Sequence, residues 1–144
     1  MAQDRPLMAL AIIRISLGVF FIFEGLGKLA WLTDSGPLSA QLAGWLEKAA
    51  PLSRWYLQTV AVPGAPVFAR LVALGELSCG IALVLGLWTR LAAALAFLMV
   101  LNFHIASGAI FTYRFLTSGY ALPVLGPLLG LSIGGARLPW SIRR

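Results

Sequence analysis

The sequence predicts an all-α integral membrane protein: a four-helix bundle with a short amphipathic surface helix between spans one and two. Three observations carry that expectation. The 144 residues are 60% hydrophobic and only 11% charged, against roughly half and roughly a quarter in ordinary globular domains. The apolar residues fall into four long runs, each near the ~20 residues that cross a ~30 Å hydrocarbon core as a helix. None of the runs alternates as a membrane-barrel strand does. Five acidic and eleven basic side chains cannot clothe a soluble domain of this size. The same composition excludes a disordered chain and a coiled coil.

The elements follow in order. The first span, about residues 7–32, begins after Arg5 but is too long for a signal peptide and has no small-x-small cleavage site. It also continues through Glu24 and Lys28. The second span, about 66–88, starts at Pro66. Trp88, Thr89 and Arg90 form a tight turn into the third, about 91–111. The fourth is about 120–138, and the whole chain, 1–144, reads as a single transmembrane domain. The loop segment 33–65 has its own pattern. Leu38, Leu42, Trp45, Leu46 and Ala49 fall within an arc of about 100° on a helix. Pro37 precedes the pattern and Pro51 stops it. Such a helix either lies on the membrane surface, with Trp45, Trp55 and Tyr56 at headgroup level, or caps the bundle as part of its core.

Charge sets the orientation. The net charge is +6, but the basic residues sit singly at the ends of apolar runs, not in a stripe with interleaved aromatics, so nucleic acid is excluded as a partner. With four spans, Arg5, Arg90, Arg137, Arg143 and Arg144 share one side, and the other side's loops carry Lys48, Arg54 and Arg114. Lys and Arg concentrate in cytoplasmic loops, which places both termini in the cytoplasm and the 33–65 segment on the outer face. One cysteine, Cys79, allows no intrachain disulfide. One histidine, His104, excludes bis-His haem and the usual multi-His or multi-Cys metal sites within this chain.

Ionisable groups at membrane depth are costly and usually face a bundle interior. Here they are Arg14, Glu24, Lys28, Arg70, Glu76 and His104. Counting rise along each span puts Glu76 near the midplane and Glu24, Lys28, Arg70 and His104 in the outer half. Glu24 and Lys28 are four apart with the acid first, the better order for a helical ion pair. Glu76 shares its face with Ala69, Ala73 and Gly80, small residues that admit a neighbouring helix. Arg14 and Lys28 share a face with Gly18, Phe21 and Gly25, so either is a candidate partner for Glu76, Arg14 as a buried charge partner. Arg70 points about 120° away from Glu76. His104 shares its face with Ser107 and Gly108, whereas Asn102 points nearly opposite. Gly126, Gly130 and Gly134 repeat every fourth residue and form a flat packing seam, within the bundle or between copies in a homo-oligomer.

A resemblance to a known family rests on these residues. Arg14 and Gly18, followed by Glu24, Gly25, Gly27, Lys28 and Leu29, resemble the opening of DoxX-type membrane proteins. Gly75 and Glu76, then Gly80, Gly86, Thr89 and Arg90, resemble the family's second-span signature. The long first loop and the region of Asn102 look closer to the DoxD-like branch. The resemblance covers all four spans and is strongest in the first two. It implies a four-helix bacterial inner-membrane protein linked to redox metabolism. Relatives are associated with terminal quinol oxidase preparations, thiosulfate:quinone oxidoreductase and membrane oxidoreductase assemblies.

The leading expectation is a subunit that binds a quinone, with a partner protein supplying electrons. A quinone pocket needs apolar walls, aromatic faces, hydrogen-bonding groups and a proton route. Phe20, Phe21, Phe23, Glu24, Lys28, Arg70, Glu76, His104 and Tyr113 are the candidates, with Lys28 as a donor near the mouth. They would bracket one outward-opening cavity roofed by residues 37–56. The alternatives are a non-catalytic scaffold or assembly factor, in which the charges set helix pairing, and a small-solute or proton transporter.

Overall fold

The structure, a computed structural model, describes residues 4–142. Seven α-helices follow one another: α1 (Asp4–Leu26), α2 (Gly36–Glu47), α3 (Pro51–Tyr56), α4 (Ala65–Leu85), α5 (Thr89–Ala106), α6 (Tyr113–Thr117) and α7 (Leu122–Gly134). Short 3-10 turns at Leu29–Leu32 and Ala109–Phe111, and a π-turn at Leu57–Ala61, join them. There is no strand among the described residues.

α1, α4 and α5 are long and apolar enough to cross a membrane, and the chain is a membrane protein. Exposed Phe23, Leu71, Leu74, Leu95 and Leu98 clothe their outer faces, as contact with lipid requires. α7 is shorter than the fourth run suggests: its 13 residues span about 20 Å at a rise of about 1.5 Å each. Pro123 fixes its start, and Gly134 and Gly135 end it. α5 likewise stops at Ala106, because Gly108 turns left-handed at φ +70°. Between α4 and α5 the predicted turn is present. Gly86 adopts φ +70° as the α4 cap, and the Leu87 amide donates back to the Ala82 carbonyl at 2.8 Å.

Glycine sets how closely α1 and α4 approach. A methyl on Gly18 would lie 2.7 Å from the Val84 backbone nitrogen, and one on Gly25 would lie 2.9 Å from that of Leu77. The two antiparallel helices therefore touch backbone to backbone. Phe21, Leu83, Ala93, Ala96, Leu128 and Leu131 form the core beside them.

A second core lies at the other end. Leu38, Leu42 and Ala49 bury against Leu57, Ala61, Ala65, Ala69 and Ala106. The apolar arc read from segment 33–65 is therefore the face that caps the bundle. Ser53, fully buried, ties this cap to α5 by donating to the Ile105 carbonyl at 2.6 Å.

Two open packing alternatives narrow here: the glycine seam makes no contact within the bundle, which leaves a contact between copies, and Glu76 takes Lys28 rather than Arg14. Gly126, Gly130 and Gly134 are exposed, with nothing within 4 Å of an added methyl. The reason is that α7 turns Val124, Leu125, Leu128 and Leu131 inward, which bury more apolar area than glycine and leave the seam on the surface. Arg14 is not the partner of Glu76. Because α1 runs antiparallel to α4, Arg14 stands beside Gly86, about ten residues and roughly 15 Å along α4 from Glu76. Arg14 is completely buried. It donates instead to the Trp140 carbonyl at 2.9 Å, the Pro139 carbonyl at 3.4 Å and the Ser141 hydroxyl. It makes no ion pair among the described residues.

Candidate functional site

The site starts where α1 ends. Gly25 and Gly27 loosen the helix there, and Lys28 curls back over its last turn. The Lys28 ammonium donates to the Glu24 carbonyl at 3.3 Å and to Glu24 Oε2 at 2.8 Å. A cation at a helix C-terminus also meets the negative end of the helix dipole. α4 brings Glu76 to the same ammonium, with Oε2 at 2.8 Å and Oε1 at 3.1 Å. One lysine thus bridges two carboxylates, and the trio carries one net negative charge when all three are ionised. Glu76 is only 7% exposed, whereas the Glu24 side chain is 35% exposed.

All three hydrogens of the Lys28 ammonium have acceptors. Lys28 therefore offers no free donor. It holds two carboxylates in place. Glu24 Oε1 has no partner among the described residues, so it is the oxygen available to accept a proton or a hydrogen bond.

This trio forms one side of a cavity of about 400 Å³, within the usual range for small-molecule sites of about 300–1,000 Å³. The walls are aromatic. Phe20 and Phe21 come from α1, Trp31 from the following turn, Trp45 from α2, Phe103 from α5 and Tyr120 from the approach to α7. Phe20 stands edge-on to Phe21 at 5.3 Å and tilts against Tyr120 at 5.8 Å. Trp45 and Phe103 meet edge-on at 6.0 Å. Pairs at these separations are favourable beyond the area they bury, so the walls are preformed. Trp31 lies under the Lys28 ammonium at 5.9 Å, a cation–π contact.

His104 lines the same cavity, with Gln41 and Ser107. Its Nε2 lies 3.0 Å from the Tyr120 carbonyl. A carbonyl only accepts, so Nε2 carries hydrogen and the Nδ1 of a neutral ring is the acceptor.

The sequence candidates therefore divide. Glu24, Lys28, Glu76 and His104 line one cavity with Phe20 and Phe21. Arg70, Tyr113 and Phe23 do not. Arg70 is exposed and folds back to the Pro66 carbonyl one turn earlier, on the side of α4 away from Glu76. Tyr113 sits on α6 and is 77% exposed. Phe23 is 70% exposed, because the α1 face it occupies points away from α4. The roof comes from Gln41 and Trp45 of α2. Asn102 leaves the site and accepts from the Tyr56 hydroxyl at 2.6 Å, as its opposite face implies. Gln41 and Trp45 belong to the expected 37–56 roof, whereas Trp31, Phe103 and Tyr120 are lining residues that the sequence reading did not point to. Trp31 carried a signal, three residues beyond Lys28. Tyr120 carried none, since its place depends on how α7 docks.

The cavity joins aromatic walls to carboxylate and imidazole groups at one side. A family model described as DoxX matches residues 9–112. No curated protein and no solved structure matches the chain. The matched stretch carries Glu24, Lys28, Glu76 and His104 and covers well over half of the chain, and on that match the chain belongs to the DoxX family.

Proposed function

We propose that the protein is a quinone-linked subunit of a membrane oxidoreductase assembly and that its aromatic cavity holds the quinone head. One observation carries the reading: a cavity of about 400 Å³ joins aromatic walls to a Glu24–Lys28–Glu76 cluster. A bound quinone would supply two-electron, two-proton redox chemistry. The residues supply the rest. Phe20, Trp45, Phe103 and Tyr120 stack against a ring and exclude water. Gln41 reaches the same space as a donor. Glu24 Oε1 and the histidine ring accept protons, and Lys28 fixes the carboxylates. With one histidine and one cysteine, the chain has no metal relay of the common kinds, so a partner protein delivers the electrons.

The placement we infer is a bacterial inner membrane, with α7 as the short fourth span, both termini cytoplasmic and the cavity near the outer face. The arginines at Arg5, Arg90 and Arg137 support that orientation. Arg143 and Arg144 lie outside the described residues. α7 packs along α5, and a short apolar helix is accommodated by local thinning of the bilayer. Reporter fusions after Trp88 and at the C-terminus should both read cytoplasmic. An external reading at the C-terminus would reduce the count to three spans.

A second reading has its own observation. Every Lys28 hydrogen is satisfied inside the chain, as in a purely structural clamp, and a scaffold would need no more. Gentle extraction followed by analysis of bound small molecules separates the two. The quinone reading expects about one quinone per chain. A reproducible co-purifying protein without quinone would support the scaffold.

A further inference from the structure

The end of the bundle opposite the aromatic cavity carries a site of different chemistry. A second cavity, of about 330 Å³, lies between the start of α5 and the chain that follows α7. Two arginines line it, Arg90 and Arg137. Arg90 spends its Nε on the Ser132 carbonyl at 3.0 Å, which fixes the guanidinium and leaves both of its terminal nitrogens. Arg137 makes no hydrogen bond and no ion pair among the described residues. No acidic side chain among the described residues lines the cavity. The first turn of α5, with no acid and no side-chain cap, adds the positive end of its dipole.

Arg14 reinforces this potential from behind. It is completely buried, its Nε has no partner, and it donates to the Ser141 hydroxyl, which lines the cavity. Ser141 accepts that bond and keeps its own hydrogen for a ligand. Three guanidinium groups thus converge around one cavity without a carboxylate among the described residues.

The remaining wall is apolar and faces outward. Trp88 is 63% exposed and Leu91 is 58% exposed. Both stand at the ends of membrane-spanning helices, where the headgroup layer begins. A ligand that fits both walls has an anionic head and an apolar tail. Basic pockets between transmembrane helices bind anionic headgroups in this way, and arginine matches phosphate oxygens in a bidentate manner. We propose that this cavity binds the phosphate of an anionic phospholipid, with Arg90 and Arg137 on the phosphate and Trp88 and Leu91 along the acyl chains.

The test is native mass spectrometry of the full, delipidated chain in detergent, titrated with phosphatidylglycerol, phosphatidylcholine or inorganic phosphate. Wild type should retain one phosphatidylglycerol at a concentration roughly tenfold below that needed for phosphatidylcholine. Arg90→Gln/Arg137→Gln should abolish that preference, and Arg90→Lys/Arg137→Lys should restore part of it. Arg137→Gln alone touches no hydrogen bond of the fold and should still weaken retention, which covers the case in which the double variant misfolds. Equal retention of the two lipids by wild type would overturn the proposal, as would an Arg137→Gln variant with unchanged preference. Displacement of phosphatidylglycerol by millimolar inorganic phosphate, with no preference between lipids, would assign the site to a soluble anion and overturn the lipid.

Discussion

Replacing Lys28 with methionine should destabilise the protein by about 3 kcal/mol, the low end of the cost of breaking a buried ion pair. The low end applies because Glu24 is partly solvated and a membrane protein's unfolded state also finds polar partners. The change leaves two carboxylates close together with no cation between them, one of them in the middle of α4. Glu76→Gln should cost less, because Lys28 keeps Glu24 and its carbonyl as acceptors. Neutralising the whole cluster, with Glu24→Gln/Lys28→Met/Glu76→Gln, should recover most of the loss, since replacing a buried ion cluster outright is often nearly neutral. Thermal unfolding in a mild detergent at matched concentrations reads all three. A Lys28→Met protein as stable as wild type would show that the bridge carries no stability.

Gly80 should be nearly as sensitive, for a steric reason. A methyl there would lie 2.7 Å from the Ile22 amide nitrogen and 2.9 Å from the Gly18 carbonyl oxygen. Both are backbone atoms of α1 and cannot rotate away, so the helices must separate. Gly80→Ala is expected to cost about 1–3 kcal/mol, as overpacking does, and Gly80→Leu more. The effect also reaches the site. Glu24 and Lys28 ride on α1 and its end, Glu76 rides on α4, and their 2.8 Å contact depends on that close approach. Gly130→Ala is the matched control. Nothing lies within 4 Å of a methyl there, and alanine favours helix by about 0.5–1 kcal/mol. Unfolding temperatures of the two alanine variants should therefore move in opposite directions. A Gly80→Ala protein that melts with wild type would remove the helix contact from the account.

These expectations show which parts of the molecule were legible in the sequence. Helical class and membrane setting follow from run length and charge scarcity, because lipid leaves the backbone no alternative to satisfying its own hydrogen bonds. The Glu24–Lys28–Glu76 cluster was legible in outline. An acid four residues before a base and a carboxylate on a small-residue face both state a need for a partner. Which cation reached Glu76 was not legible, since Arg14 and Lys28 lie on one face of the same helix. Only the register of α1 against α4, set by Gly18, Gly25 and Gly80, decides between them. The cap illustrates the same limit. The arc through Leu38, Leu42 and Trp45 fixes a face, but a lipid surface and a protein core make the same demand of it. Tyr113 and Arg70 lie outside the cavity for a simpler reason: residue type suggested a role, whereas α6 leaves Tyr113 exposed and Arg70 folds back along α4. The short α7 was not legible: Pro123 and Gly134 bound it, but the apolar composition over 120–138 concealed where the helix stops.

The aromatic cavity with its charged cluster is expected to receive a quinone. Trp31 and Trp45 stand in its wall, so a short-tailed quinone bound there would quench their fluorescence. The measurement is a quench titration of wild type beside the Glu24→Gln/Lys28→Met/Glu76→Gln variant, in the same detergent and with matched unfolding temperatures. The account predicts quenching that saturates at about one quinone per chain in wild type, with affinity at least roughly tenfold weaker in the variant, a loss of about 1.4 kcal/mol. Quenching that rises linearly without saturation in both proteins, or saturates with equal affinity in both, would contradict it.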